Sequence, residues 1–162
     1  MYITVKELLR YTDEERDRWD RWFQSNGDAM LAMPLVGDRE PTVGRLILHI
    51  FGPELRFVER LRNDRLTDYR ALPASSVEAV FGFGLKARQT MRDFIAGLSA
   101  DDWQRIVEFD VASQQIRASV RKVVLHALIH ELRHWSQIAR VMSERGFTPP
   151  SGGDLLLSDA LE

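Results

Sequence analysis

The chain has 162 residues, 22 basic and 24 acidic for a formal charge of −2, with 44% hydrophobic and 28% charged residues. That length and apolar content fit one globular domain with a core of its own and exclude a disordered chain. An isoelectric point near 6.1 with interspersed charges leaves no basic footprint for nucleic acid or an anionic membrane, and the absence of cysteine excludes disulfides, cysteine nucleophiles and thiolate metal sites.

No apolar run approaches the roughly 18 residues of a membrane span, and Met1 to Arg16 is acidic where a signal peptide is basic and then apolar, so the expected location is the cytoplasm. Val5, Leu8, Leu9, Tyr11, Trp19, Trp22 and Phe23 recur at steps of three and four and predict an amphipathic helix from Thr4 to Asn26. Thr4-Val-Lys-Glu7 and Thr12-Asp-Glu-Glu15 are both capping boxes and offer alternative starts. Met33-Pro34 to Glu40-Pro41, with Gly37-Asp38 inside, predicts a loop. Thr42 then caps a second helix whose stripe, Leu46, Ile50, Phe57 and Leu61, runs toward Asn63. Pro53 lies inside it and leaves the carbonyl of His49 without its amide donor, so a bend is expected beside that histidine.

After the polar stretch Leu66 to Ala74, Ser75-Ser-Val-Glu78 reads as a capping box that opens a third helix reaching Leu98. Ser99-Ala-Asp-Asp102 starts a short turn, and Ile106–Val111 and Gln115–Ser119 alternate like two strands around Ala112-Ser-Gln114. Val120, Val123, Val124, Ala127, Leu128, Ile138, Val141 and Met142 predict a last helix from Ser119 to Arg145, stopped by Gly146 and Pro149-Pro150. The expected fold is all-α: a four-helix bundle forming one domain over residues 1–150, with a short β-hairpin between the third and fourth long helices. Residues 151–162 form a C-terminal tail, expected to be partly ordered at best. Trp19, Trp22 and Trp135, at helical spacing, read as core or as a dimer surface.

Three of the four histidines, His126, His130 and His134, lie on the last helix at intervals of four. Residues four apart differ by about 40° and about 6 Å, so an adjacent pair can grip one ion. Eight residues span about 12 Å of axis, too far for metal–nitrogen bonds of about 2.0 to 2.1 Å, so His126 and His134 cannot share one. A stripe centred on Val124, Ala127, Glu131 and Ile138 puts His134 within about 60° of its centre and His126 on its far flank, which favours His130 and His134. A third ligand must come from another helix, and His49 is the histidine left. Three neutral imidazoles with water in the open positions make a catalytic type of site for zinc or nickel. Against this stands the ordinary role of a histidine beside an apolar face, which is hydrogen-bonded packing.

His130-Glu131-Leu-Arg-His134 also fits the His-Glu-x-x-His pattern of zinc metalloproteases, with Glu131 as general base. The small size and the lack of a third ligand downstream count against a protease, and Glu131 serves equally as a buried acceptor orienting an imidazole. Glu131, Arg133 and Gln137 are the candidate catalytic residues, Arg133 and Arg45 the candidates for an anionic substrate group.

Leu46-Ile-Leu-His49-Ile50 followed by Glu54, together with His126-x-x-x-His130-Glu131-x-x-His134-x-x-Gln137, resembles the DinB/YfiT-like family of bacterial four-helix-bundle metalloproteins. With the helix order, the resemblance covers nearly the whole chain. It implies His49, His130 and His134 as a metal triad and assigns no role to His126. Family members often carry His-His-Arg-Gly-Gln, where this chain reads Arg133-His134-Trp135-Ser136-Gln137; the metal position survives and its surroundings differ. Characterised relatives include transferases and isomerases that use low-molecular-weight bacterial thiols, so the resemblance implies a divalent-metal-dependent enzyme, a thiol-dependent S-transferase or a hydrolase, acting on a small molecule. It also implies a homodimer. The alternative is a non-enzymatic metal- or ligand-binding stress-response bundle, marked by a fourth protein ligand such as Glu54 or Glu131.

Overall fold

Four long helices carry the computed structural model, which describes residues 2–151 and 153–161: α1 (Val5–Asn26), α2 (Val43–Arg62), α3 (Val77–Ala96) and, after the short α4 (Ala100–Gln104) and a hairpin, α5 (Val120–Glu144). This is the expected bundle. α1 starts at the first of its two capping boxes, with the Thr4 hydroxyl accepting from the Glu7 amide at 3.1 Å and the Glu7 carboxylate from the Thr4 amide at 2.6 Å. The second box is helix interior, because the buried Thr12 hydroxyl donates to the Leu9 carbonyl at 3.0 Å. α2 runs unbroken through Pro53 and ends on Asn63, whose left-handed φ of 57° an asparagine tolerates.

The third helix opens one residue later than its sequence box implies. Ser76 is the N-cap, its hydroxyl accepting from Ala79 at 3.3 Å, and Asp28 receives the Val77 amide at 2.7 Å. Ser99 and Asp102 form the expected box at α4. β1 (Ile106–Val111) and β2 (Gln114–Ser119) pair antiparallel with Phe109 opposite Ile116. Gln114 belongs to β2 rather than to the loop, because Ala112 and Ser113 alone make the turn with φ of 48° and 66°. Positive φ at both central positions matches the twist of the flanking strands.

The core is in two parts. One cluster gathers Trp19, Phe23, Ile50, Phe51, Phe81 and Trp135, with Trp19 stacked on Trp135 at 5.3 Å between ring centroids. The tryptophans Trp19 and Trp135 are therefore core residues, each 1% exposed, while Trp22 is half-buried and donates to the Thr148 carbonyl at 2.7 Å. The other cluster gathers Phe57, Val58, Met91, Phe94, Val120 and Val124. Four buried charges, one from each long helix, pair with one another: Arg16, Glu54, Arg88 and Glu131; α2 buries Glu59 as well, which accepts from the Thr67 amide. The described tail residues lie against α1, where Tyr11 donates to the Gly153 carbonyl at 2.6 Å and Ser158 to Glu14 at 2.7 Å. No helix among the described residues is long and apolar enough to cross a membrane.

Candidate metal centre

α2 presents His49 and α5 presents His130 and His134 to one point. One ligand atom from each of the three lies within 4.8 Å of the others, and the His49 ring centroid is 5.1 Å from each of the other two. The Nε2 atoms of His130 and His134 are 3.1 Å apart. Two nitrogens on one ion at about 2.0 to 2.1 Å are separated by about 2.9 to 3.4 Å for bond angles of 90° to 109°, so this pair fits a shared ion.

The outer nitrogens say which atoms are free to bind. Gln137 Oε1 accepts from His134 Nδ1 at 2.9 Å, which leaves Nε2 of that ring as a bare lone pair, and the Gln137 amide in turn donates to Asp38. Glu40 Oε1 and the Tyr69 hydroxyl flank Nδ1 of His49 at 3.4 and 3.3 Å, so its Nε2 is the free one. A carboxylate behind His49 and an amide behind His134 make the arrangement that orients metal-ligating histidines. Burial, then the neighbouring His134, pushes the His49 imidazole down to about 4 and that of His130 down to about 3. Both are therefore neutral at pH 7, the state a metal requires. Nδ1 of His130 is buried with no hydrogen-bond partner.

Four sequence-predicted residues, Glu131, Glu54, Arg133 and Arg45, stay apart from the triad. Glu131 Oε1 accepts from Arg16 Nε at 2.6 Å and from the Trp135 indole at 3.0 Å, and its Oε2 from Arg88 at 2.6 Å. Burial opposes its ionisation, but Arg16 and Arg88 outweigh burial and hold the carboxyl below its ordinary value. Glu54 is bound by Arg16 and lies 2.8 Å from Arg88 Nε. Neither glutamate supplies a fourth ligand or a general base, and the His-Glu-x-x-His reading loses its glutamate to the core. Arg133 lies on the exposed face of α5. Arg45 donates to the Arg70 and Leu72 carbonyls at 2.9 and 2.8 Å, tying α2 to the 3-10 turn Tyr69–Ala71.

His49 and His130 open onto a cleft of about 340 Å³ whose wall includes Tyr69, His126 and four arginines, Arg39, Arg56, Arg60 and Arg70. None of these arginines was singled out by the sequence reading. The available signal was the face His49, Pro53, Arg56, Arg60 of α2, spaced by four, three and four. His126 does not join the triad; its ring is 5.8 Å from that of His130 and edge-on to Phe57 at 5.5 Å.

A bundle of four long helices with three imidazoles converging beside an open cleft defines a helical protein with a candidate metal centre. The family model described as the DinB superfamily matches residues 11–138, and the chain belongs to that superfamily. No curated protein matches it in sequence.

Proposed function

We propose that this protein is a divalent-metal-dependent enzyme acting on a small molecule, with His49, His130 and His134 as the ligands of zinc or nickel. The convergence of three imidazoles from two helices, with an open cleft beside them, carries the reading. When bound, such an ion supplies Lewis acidity and lowers the pKa of a water or thiol at its open position. The chain's own residues do the rest. Gln137, itself held by Asp38, accepts the Nδ1 proton of His134 and holds that ring in the tautomer that points a lone pair inward. Glu40 and Tyr69 do the same for His49. The cleft gives a small molecule access to the face of the triad lined by His49 and His130, which suits hydrolysis or transfer to a low-molecular-weight thiol.

Elemental analysis tests this. Untagged protein purified without chelator from metal-replete cells is expected to carry about one divalent ion per chain, and His130→Ala to carry none. Absence of metal from the wild-type protein would sink the proposal.

A further inference from the structure

The cleft beside the triad holds more positive charge than its surroundings neutralise. Arg70 lies 3.7 Å from Glu40, a carboxylate that also faces His49. Arg39, Arg56 and Arg60 form no ion pair among the described residues, and Nε of Arg56 is buried without a hydrogen-bond partner. These guanidinium groups are not loose tails. That of Arg56 lies 5.9 Å from the Tyr69 ring centroid, and that of Arg60 lies 5.6 Å from Phe109 and 5.9 Å from Phe57. Aromatic faces hold the two cations in place at the cleft wall, where Arg60 Nη1 donates to the Arg56 carbonyl at 3.3 Å and neither guanidinium has a carboxylate partner among the described residues, a disposition that receives a carboxylate or phosphate.

A second space adjoins the first. Between the hairpin and helices α2 and α5 lies an apolar chamber of about 220 Å³, lined by Phe57, Phe109, Val111, Ile116 and Val123. Phe57, Val111 and His126 line both spaces. A cavity of roughly 150 Å³ holds a benzene ring, so the chamber has room for a ring or a branched chain.

We infer that the substrate is an amphipathic oxyanion, a small molecule whose carboxylate or phosphate pairs with Arg39, Arg56 and Arg60 and whose apolar end fills the chamber under the hairpin. This deepens the catalytic-metal reading and rests on it. His126, which the triad does not use, then forms the wall where head and tail of the ligand meet. The arginine rim selects for charge and the hairpin selects for shape.

Calorimetric titration of the purified protein, after its metal content has been measured, tests the inference with 4-phenylbutyrate, 2-phenylethyl phosphate and the neutral 4-phenylbutanamide. At least one oxyanion is expected to bind about tenfold or more tightly than the amide, an increment suited to charge-assisted hydrogen bonds. Arg56→Gln and Arg60→Gln, each checked for fold by circular dichroism, are expected to lose that preference. Val111→Trp, which fills the junction of the two spaces, is expected to abolish binding of acid and amide alike. Equal binding of acid and amide, no binding of either acid, or a preference that survives both arginine variants overturns the inference. A protein that carries metal yet shows no oxyanion preference overturns this inference alone. A protein that shows the preference and carries no metal overturns the catalytic-metal reading alone.

Discussion

Glu131 follows His130 directly in sequence but is turned about 100° from it around the helix, and that rotation decides its role. Its two oxygens bind Arg16, Arg88 and the Trp135 indole, and burial leaves no water to replace any of them. Two arginines and two glutamates balance in charge, and the pairs are coupled: Glu131 and Glu54 hold the Arg16 guanidinium above its ordinary range in spite of burial. Removing one member of such a set strands the others. Glu131→Gln is expected to cost about 3 to 5 kcal/mol of stability, read as a lowered urea midpoint, because Arg16 is then left with Glu54 alone and Arg88 with Glu54 and the partly buried Asp13. A general base would behave otherwise, with stability kept and turnover lost, so an unchanged midpoint would return Glu131 to the site. The charged set was only half legible in the sequence. Arg16, Glu54, Arg88 and Glu131 each interrupt an apolar stripe, one per long helix, but an interruption becomes an ion pair only when the bundle shows which helices face each other.

Elements were legible where local chemistry decides them. The boxes at Thr4 and Ser99 and the N-caps Thr42 and Ser119 depend on hydrogen bonds within four residues, and all four begin helices. The start of α3 was misplaced by one residue: of two adjacent serines Ser76 is the cap, and the Val77 amide goes to Asp28, which is remote in sequence. The 3-10 turn Tyr69–Ala71 was missed for the same reason: what places it is the packing of the Tyr69 ring on α2, not a local signal. Gly52 is the residue that admits that ring, and a Cβ there would overlap it. Gly52→Ala in an ordinary helix adds up to about 1 kcal/mol of stability. Here the sign is expected to reverse, with a lower melting temperature. The displaced Tyr69 also leaves Nδ1 of His49, so metal affinity in a chelator competition is expected to fall by about tenfold, as for loss of other outer partners of a ligand histidine. Wild-type affinity in folded Gly52→Ala protein would show that the ring does not orient His49.

At the scale of the molecule, the charged layer divides the core into two apolar clusters, and the triad sits on the flank of α2 and α5, whose inner faces build both. Placing neutral imidazoles there ties stability to pH. His49 and His130 titrate near 4 and 3 in the folded chain, below the 6.5 of an exposed imidazole, and burial lowers His126 as well. Between about pH 6.5 and 4 the unfolded chain therefore binds more protons than the folded one, so stability falls as the pH falls through that window. Carboxylates act lower down. Glu131, held below its ordinary 4.5, adds to the loss there, while Asp13, raised by burial from its ordinary 3.8, opposes it. Metal-free protein is thus expected to melt at progressively lower temperature from pH 7 to pH 5, with a shallower slope for His130→Ala, as measured by scanning calorimetry. Metal binds only the deprotonated rings, and values of about 4 and 3 keep His49 and His130 deprotonated at pH 5, so the rise in melting temperature on adding zinc is expected to be kept from pH 7 to pH 5 and to shrink as the pH falls toward 4. A melting temperature independent of pH across that range would mean that the imidazoles of His49 and His130 are as accessible to protons in the fold as out of it, and their neutral, preformed state would have to be given up.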